Sequence, residues 1–186
     1  MKLDTPRVAP LQADQWNDTV REILRPIKDQ QGEVPNIFKT LAHHPDLMRR
    51  WLVFGNHVLF KSTLPARERE LLILRIGWLC QAEYEWGQHV RIGRQTGLTN
   101  EEIRRIKTGP DAPEWNERDR LLLKATDELH QDAHISDATW QGLSKYYNTQ
   151  ELMDVVFAVG QYNLVSMALN TLGVQLEEGV PTFANT

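Results

Sequence analysis

The chain has 186 residues, 41% hydrophobic and 25% charged, with 21 basic against 25 acidic side chains for a formal net charge of −4. That balance suits a globular chain with a core of its own and suggests neither disorder nor a membrane protein. Mild acidity argues against nucleic acid or an anionic membrane as partner. The single cysteine excludes an internal disulfide. The N-terminal "MKLDTPRVAPLQADQW" lacks the apolar segment of a secretory signal, and the apolar runs "LLIL" and "VVFAV" are too short to span a bilayer. A soluble cytoplasmic protein is expected.

Residues 1–35 carry Pro6, Pro10, Pro26 and Pro35. They read as an arm with one short helix near Ala13–Leu24 and a loop "DQQGEVP", wrapping over the body or a neighbouring subunit. From residue 36 to 186 the pattern is helical almost throughout and reads as one domain, with its core at about 45–125. "NIFKTLAHH" is a short helix stopped by Pro45. In "DLMRRWLVFGNHVLF", Leu47, Trp51, Phe54 and Val58 form one apolar stripe. "LPARERELLILRIGWLC" starts at Pro65, with Glu68 and Glu70 in the dipole-favoured early turns. "AEYEWGQHVRIGRQTG" ends at Gly97, and Thr99 with Glu102 makes a capping box for the helix that follows. After the loop "GPDAPEWNERD" come three more helical stretches, with Ser136 and either Asn148 or Thr149 as caps, and then an irregular tail. No useful β alternation occurs. The expectation is an all-α bundle of roughly seven to nine helices.

The densest chemistry lies in "CQAEYEWGQH". Glu85 and His89 stand four apart on one helix face, where a carboxylate can orient an imidazole and raise its basicity. The same spacing also describes an ordinary surface pair. Cys80 needs a helix N-terminus or a nearby cation to become reactive, and it has the first only if the chain breaks near "LCQA" and a new helix starts there. Otherwise it is a small buried hydrophobe. His130 and His134 share a spacing that can bind a metal, but no third ligand is evident, so no metal site is assigned. No dinucleotide, P-loop or nucleophile-elbow motif occurs, and no cofactor is expected.

The combination of "RERELLILR", "YEWGQHVRIGR" and "GLTNEEI" resembles the core of the carboxymuconolactone decarboxylase family, which includes the alkylhydroperoxidase D-like proteins. "GQYNLVSMALNTLGVQLEEG" resembles the C-terminal part of a decarboxylase-like subgroup. The resemblance implies an all-helical fold, assembly as homotrimers or homohexamers, and a site near a subunit boundary. In the alkylhydroperoxidase branch it places a glutamate at Glu70, a histidine at His89 and a cysteine pair at Ala82 and Glu85, where this chain has no cysteine. What remains is proton-transfer equipment: Glu70, Tyr84, Glu85 and His89. The expected activity is acid–base chemistry on a small carboxylate or lactone, meaning decarboxylation, elimination or isomerisation. His89 would move the proton, Glu70 would be a second acid or base, and Tyr84 would donate to a developing enolate. Phe38, Phe54 and Trp86 would supply an apolar wall. The alternatives are a hydroperoxide reductase using Cys80 with an external thiol, or a non-catalytic ligand-binding oligomer.

Overall fold

A computed structural model describes residues 3–28 and 32–186. The loop expected over "DQQGEVP" therefore lies partly outside the described residues. Within them the chain forms nine α-helices and no strand: α1 (Asp18–Leu24), α2 (Asn36–Leu41), α3 (Pro45–Phe60), α4 (Ala66–Leu79), α5 (Glu83–Gln95), α6 (Asn100–Thr108), α7 (Glu117–Asp132), α8 (Asp137–Leu143) and α9 (Thr149–Leu172). The single helix expected near residues 13–24 is split. A 3₁₀ turn at Ala13–Gln15 precedes α1, because the Asn17 side chain accepts from the Val20 N–H and restarts the helix.

Local signals set most other boundaries. Thr99 caps α6 through a full capping box, Ser136 caps α8, and Asn148 rather than Thr149 caps α9. Gly97, Gly109 and Gly173 take the positive φ that ends α5, α6 and α9.

Helix α4 is the axis of the fold. Every residue from Glu68 to Gly77 is buried, and α5, α7 and α9 pack around it. Glu68 stands in the first turn of α4, as expected, and is buried there. It accepts from Tyr147 Oη at 2.7 Å and pairs with Arg118 at 2.9 Å. The main core joins Leu71–Leu74 and Ile76 to Trp86, Ile103, Leu122, Leu123 and Val155. A second cluster holds α1 and α2 against α3 through Val20, Leu24, Val34 and Met48. The N-terminal segment lies along the body, with the Arg7 and Val8 N–H groups donating to Leu172 O.

Two expectations are corrected here. The α3 stripe does not face the core as a whole: Val58 is buried, but Leu47 is 52% and Phe54 38% exposed. Helix α3 sits at the edge of the bundle, packed chiefly on α1, α2 and α9, so part of the stripe stays at the surface. Helix α9 is long and apolar enough to cross a membrane by length and composition, contrary to the reading of short apolar runs. Half of its apolar window is buried inside the bundle, where it packs on α3, α4, α5 and α7, as a core helix does.

Candidate active site

Helices α4 and α5 form an antiparallel hairpin joined at Cys80–Ala82. Gln81 takes φ +52°, which ends one helix and turns the chain back on itself. The turn brings Glu70 of α4 opposite His89 of α5. His89 Nδ1 lies 2.6 Å from Glu70 Oε2, and His89 Nε2 lies 2.9 Å from Glu85 Oε1. The second oxygen of Glu70 accepts from Arg69 Nε and Nη2, both at 3.2 Å. All four side chains are buried, Glu70 completely. The Tyr162 ring of α9 stands edge-on to the imidazole at 4.8 Å.

This geometry decides the protonation state. Burial works against a charged imidazole, but the two carboxylates, Glu70 ahead of Glu85, outweigh it and push the His89 pKa up to about 10. At neutral pH the ring is an imidazolium with both N–H groups directed at carboxylates. Arg69⁺, Glu70⁻, His89⁺ and Glu85⁻ then sum to zero, which is what makes such a cluster tolerable in a buried setting. Burial, then the charges of Glu85 and Glu70, drive the Tyr162 phenol well up, so it stays neutral. The ensemble can donate a proton from His89 and accept one on a carboxylate.

Residues 45–128 match the model of the Carboxymuconolactone decarboxylase family. Over those residues the sequence is similar to that family. The all-helical architecture of the chain matches the AhpD-like fold. An alkylhydroperoxidase AhpD core, an uncharacterized peroxidase-related protein from Ralstonia eutropha JMP134, superposes with a TM-score of 0.83 at 21% identity over 93% of each chain. A second uncharacterized peroxidase-related protein, from Silicibacter sp. TM1040, gives 0.75 at 19% identity over 96% of this chain and 93% of its own. The debrominase Bmp8, in complex with 2,3,4-tribromopyrrole, gives 0.73 at 17% identity over 96% and 95%. At these identities the likeness establishes the fold. No curated protein matches the sequence.

Within this fold the other expected site residues are dispersed. Tyr84 turns away from His89. Its hydroxyl donates to Glu177 Oε1 at 2.8 Å and accepts from the Ile37 N–H at 3.3 Å. Glu177 also takes Asn36 N–H and Gln88 Nε2, so Tyr84 belongs to a latch on the C-terminal tail. Trp86 faces the tail as well, in a cage with Trp78 and Phe183, its Nε1 donating to Thr186 Oγ1. Phe38 packs on Trp51, and Phe54 meets Phe157 at the surface. Phe38, Phe54 and Trp86 thus lie in three separate contacts rather than one wall, because each follows the packing of its own helix face.

Cys80 closes the C-terminal end of α4, where the helix dipole disfavours a thiolate. The chain does break after it, but the new helix starts three residues later. Burial raises the thiol pKa, and Sγ donates to Asn163 Oδ1 at 3.1 Å. His130 ends α7 one turn from its cap, and His134 follows the left-handed cap Ala133, so the two histidines do not share a helix face. Sequence spacing did not find Arg69 or Tyr162. The only advance signal for Tyr162 was its place in the "GQYN" stretch of the family resemblance.

Proposed function

We propose that the chain is an acid–base enzyme of carboxymuconolactone decarboxylase type. Its substrate is a small carboxylate or lactone, and the reaction is decarboxylation, elimination or double-bond isomerisation. The observation that carries this reading is the buried, charge-balanced Glu70–His89–Glu85 cluster. His89, already protonated, is the acid: the substrate takes its Nε2–H from Glu85, and that N–H serves the carbonyl oxygen that becomes an enolate. Glu85 is the base that takes the proton from the neighbouring carbon. Glu70 suits that role less, because it is wholly buried and both its oxygens are engaged. It positions His89 instead. Each acid or base contribution is worth roughly 10²–10⁴-fold. Tyr84, held by Glu177, is released from the enolate role expected of it.

The same reading makes the protein a homotrimer or homohexamer. Val53 (72%), Phe60 (73%) and Phe157 (52%) leave apolar surface open on α3 and α9, more than scattered singles on a monomer. Hydroperoxide reduction through Cys80 is the second reading, carried by the thiol's place beside Asn163 and His130. Its raised pKa counts against it. The deciding assay follows solvent-deuterium incorporation and product formation, by NMR, across unsaturated lactone carboxylates. Turnover is expected to fall at least about 10²-fold in His89→Gln and to persist in Cys80→Ala. Full activity in His89→Gln would sink the proposal. Dithiol-dependent peroxide consumption lost in Cys80→Ala would establish the second reading.

A further inference from the structure

A groove of about 410 Å³ opens between α2, α3 and α9, lined by Ile37, Thr40, Leu47, Trp51, Val165 and Leu169 among others. His89 and Glu70 do not line it. Its volume falls in the range of small-molecule sites. Among the described residues no Asp, Glu, Lys, Arg or His side chain contributes to its wall. A carboxylate entering it would lose its hydration and meet no cation, so a charged ligand is disfavoured.

The floor is built from core residues, Thr40, Val165 and Leu169, each at most 5% exposed. The Thr40 hydroxyl is buried and makes no hydrogen bond among the described residues. Such an orphan is destabilising where it stays unsatisfied. Threonine on a helix has two accessible χ1 wells, so the hydroxyl can turn to meet a group in the groove. A second copy of the chain would cover the exposed rim at Leu47 and Met167. An apolar face of a second copy would still leave the Thr40 hydroxyl on the floor without a partner.

We propose that this groove is a binding site for an uncharged, largely apolar small molecule carrying one hydrogen-bonding group, which pairs with Thr40. The site is independent of the acid–base cluster. The test compares 1-naphthol with naphthalene, using methyl NMR shifts of Ile37, Val165 and Leu169 in the full chain. Both probes are expected to shift these methyls. Thr40→Val should weaken 1-naphthol about three- to tenfold and leave naphthalene within about twofold. Ala168→Trp, which fills the groove, should abolish both; Leu164→Trp at the exposed rim serves if that variant does not fold. Sedimentation is run on each protein. Failure of both probes to shift these methyls, equal effects of Thr40→Val on the two probes, or binding indifferent to the filled groove would overturn the proposal. So would loss of an oligomer in Ala168→Trp without probe binding in the wild type, which would assign the groove to a second copy.

Discussion

The protonated His89 makes a quantitative prediction about stability against pH. The folded-state pKa stands at about 10 and the unfolded value near 6.5. A group raised in this way contributes stability that is full below the unfolded pKa and is lost as pH rises through the folded one. Between about pH 6.5 and 10 the folded chain holds one proton that the unfolded chain has released. Unfolding free energy should therefore fall by about 1.4 kcal/mol per pH unit from this residue, or on the order of 5 kcal/mol across the window. The perturbation is His89→Gln, which removes the titration. Urea unfolding of both proteins at half-unit steps from pH 7.5 to 9.5, plotted as wild type minus variant, cancels the other groups that titrate there. The difference should slope downward by roughly 1 kcal/mol per unit or more. A flat difference, or an imidazole NMR titration centred near 6.5, would refute the imidazolium and with it the assignment of His89 as acid.

Three further outcomes follow from the packing. Tyr84→Phe should cost about 1 kcal/mol through the lost bond to Glu177 and speed proteolysis of the tail beyond Gly173, without a specific loss in turnover; a kcat collapse with unchanged stability would return Tyr84 to the chemistry. Gly87→Ala places a Cβ 2.2 Å from Pro181 O and 2.6 Å from Val180 Cγ1. Overpacking of this kind costs roughly 1–3 kcal/mol, so a thermal scan should show a clear fall in Tm, and an unchanged Tm would mean that the tail does not seat on α5. Cys80 should react with a disulfide reagent at pH 7 more slowly than free cysteine, because burial raises its thiol pKa; a faster rate would point back to a redox role.

What the sequence made legible was local. Thr99, Ser136 and Asn148 announce helix starts because a cap acts on N–H groups two or three residues away. Glu85 and His89 announce their contact because helix geometry fixes it. The misreadings share one cause, which is long-range packing. Tyr84 sits one residue before Glu85, yet its partner Glu177 lies 93 positions along the chain. Tyr162 reaches His89 only because α9 packs on α5. Leu47 and Phe54 match the apolar period of α3, but period tells which residues share a face and not whether a neighbour covers that face. Arg69 reads as one more charge in "RERE", and only the burial of α4 shows that it balances Glu70.

The turn at Gln81 bears on why the proposed proton transfer, rather than thiol cycling, suits this chain. The resemblance sets the cysteine pair of the alkylhydroperoxidase branch on Ala82 and Glu85, the N-cap and third residue of α5. A helix N-terminus favours an anion, so that position lowers a thiol's pKa and equally suits a carboxylate. Glu85, the base in the proposed reaction, keeps an acidic side chain at the same place beside His89. The chain's one thiol stands on the other side of the turn, at the C-terminal end of α4, where the dipole has the opposite sign. Moving a cysteine to the Glu85 position should then do two things at once. Glu85→Cys should lower the His89 pKa if the new sulfur stays a neutral thiol and leave it high if the sulfur ionises, and the thiolate absorbance near neutral pH tells these apart. A thiolate in that variant beside a still-protonated His89 would mean that the site selects for negative charge. A neutral thiol with a His89 pKa unchanged near 10 would show that Glu85 contributes nothing to the imidazolium, and the base assigned in this reaction would have to be sought elsewhere.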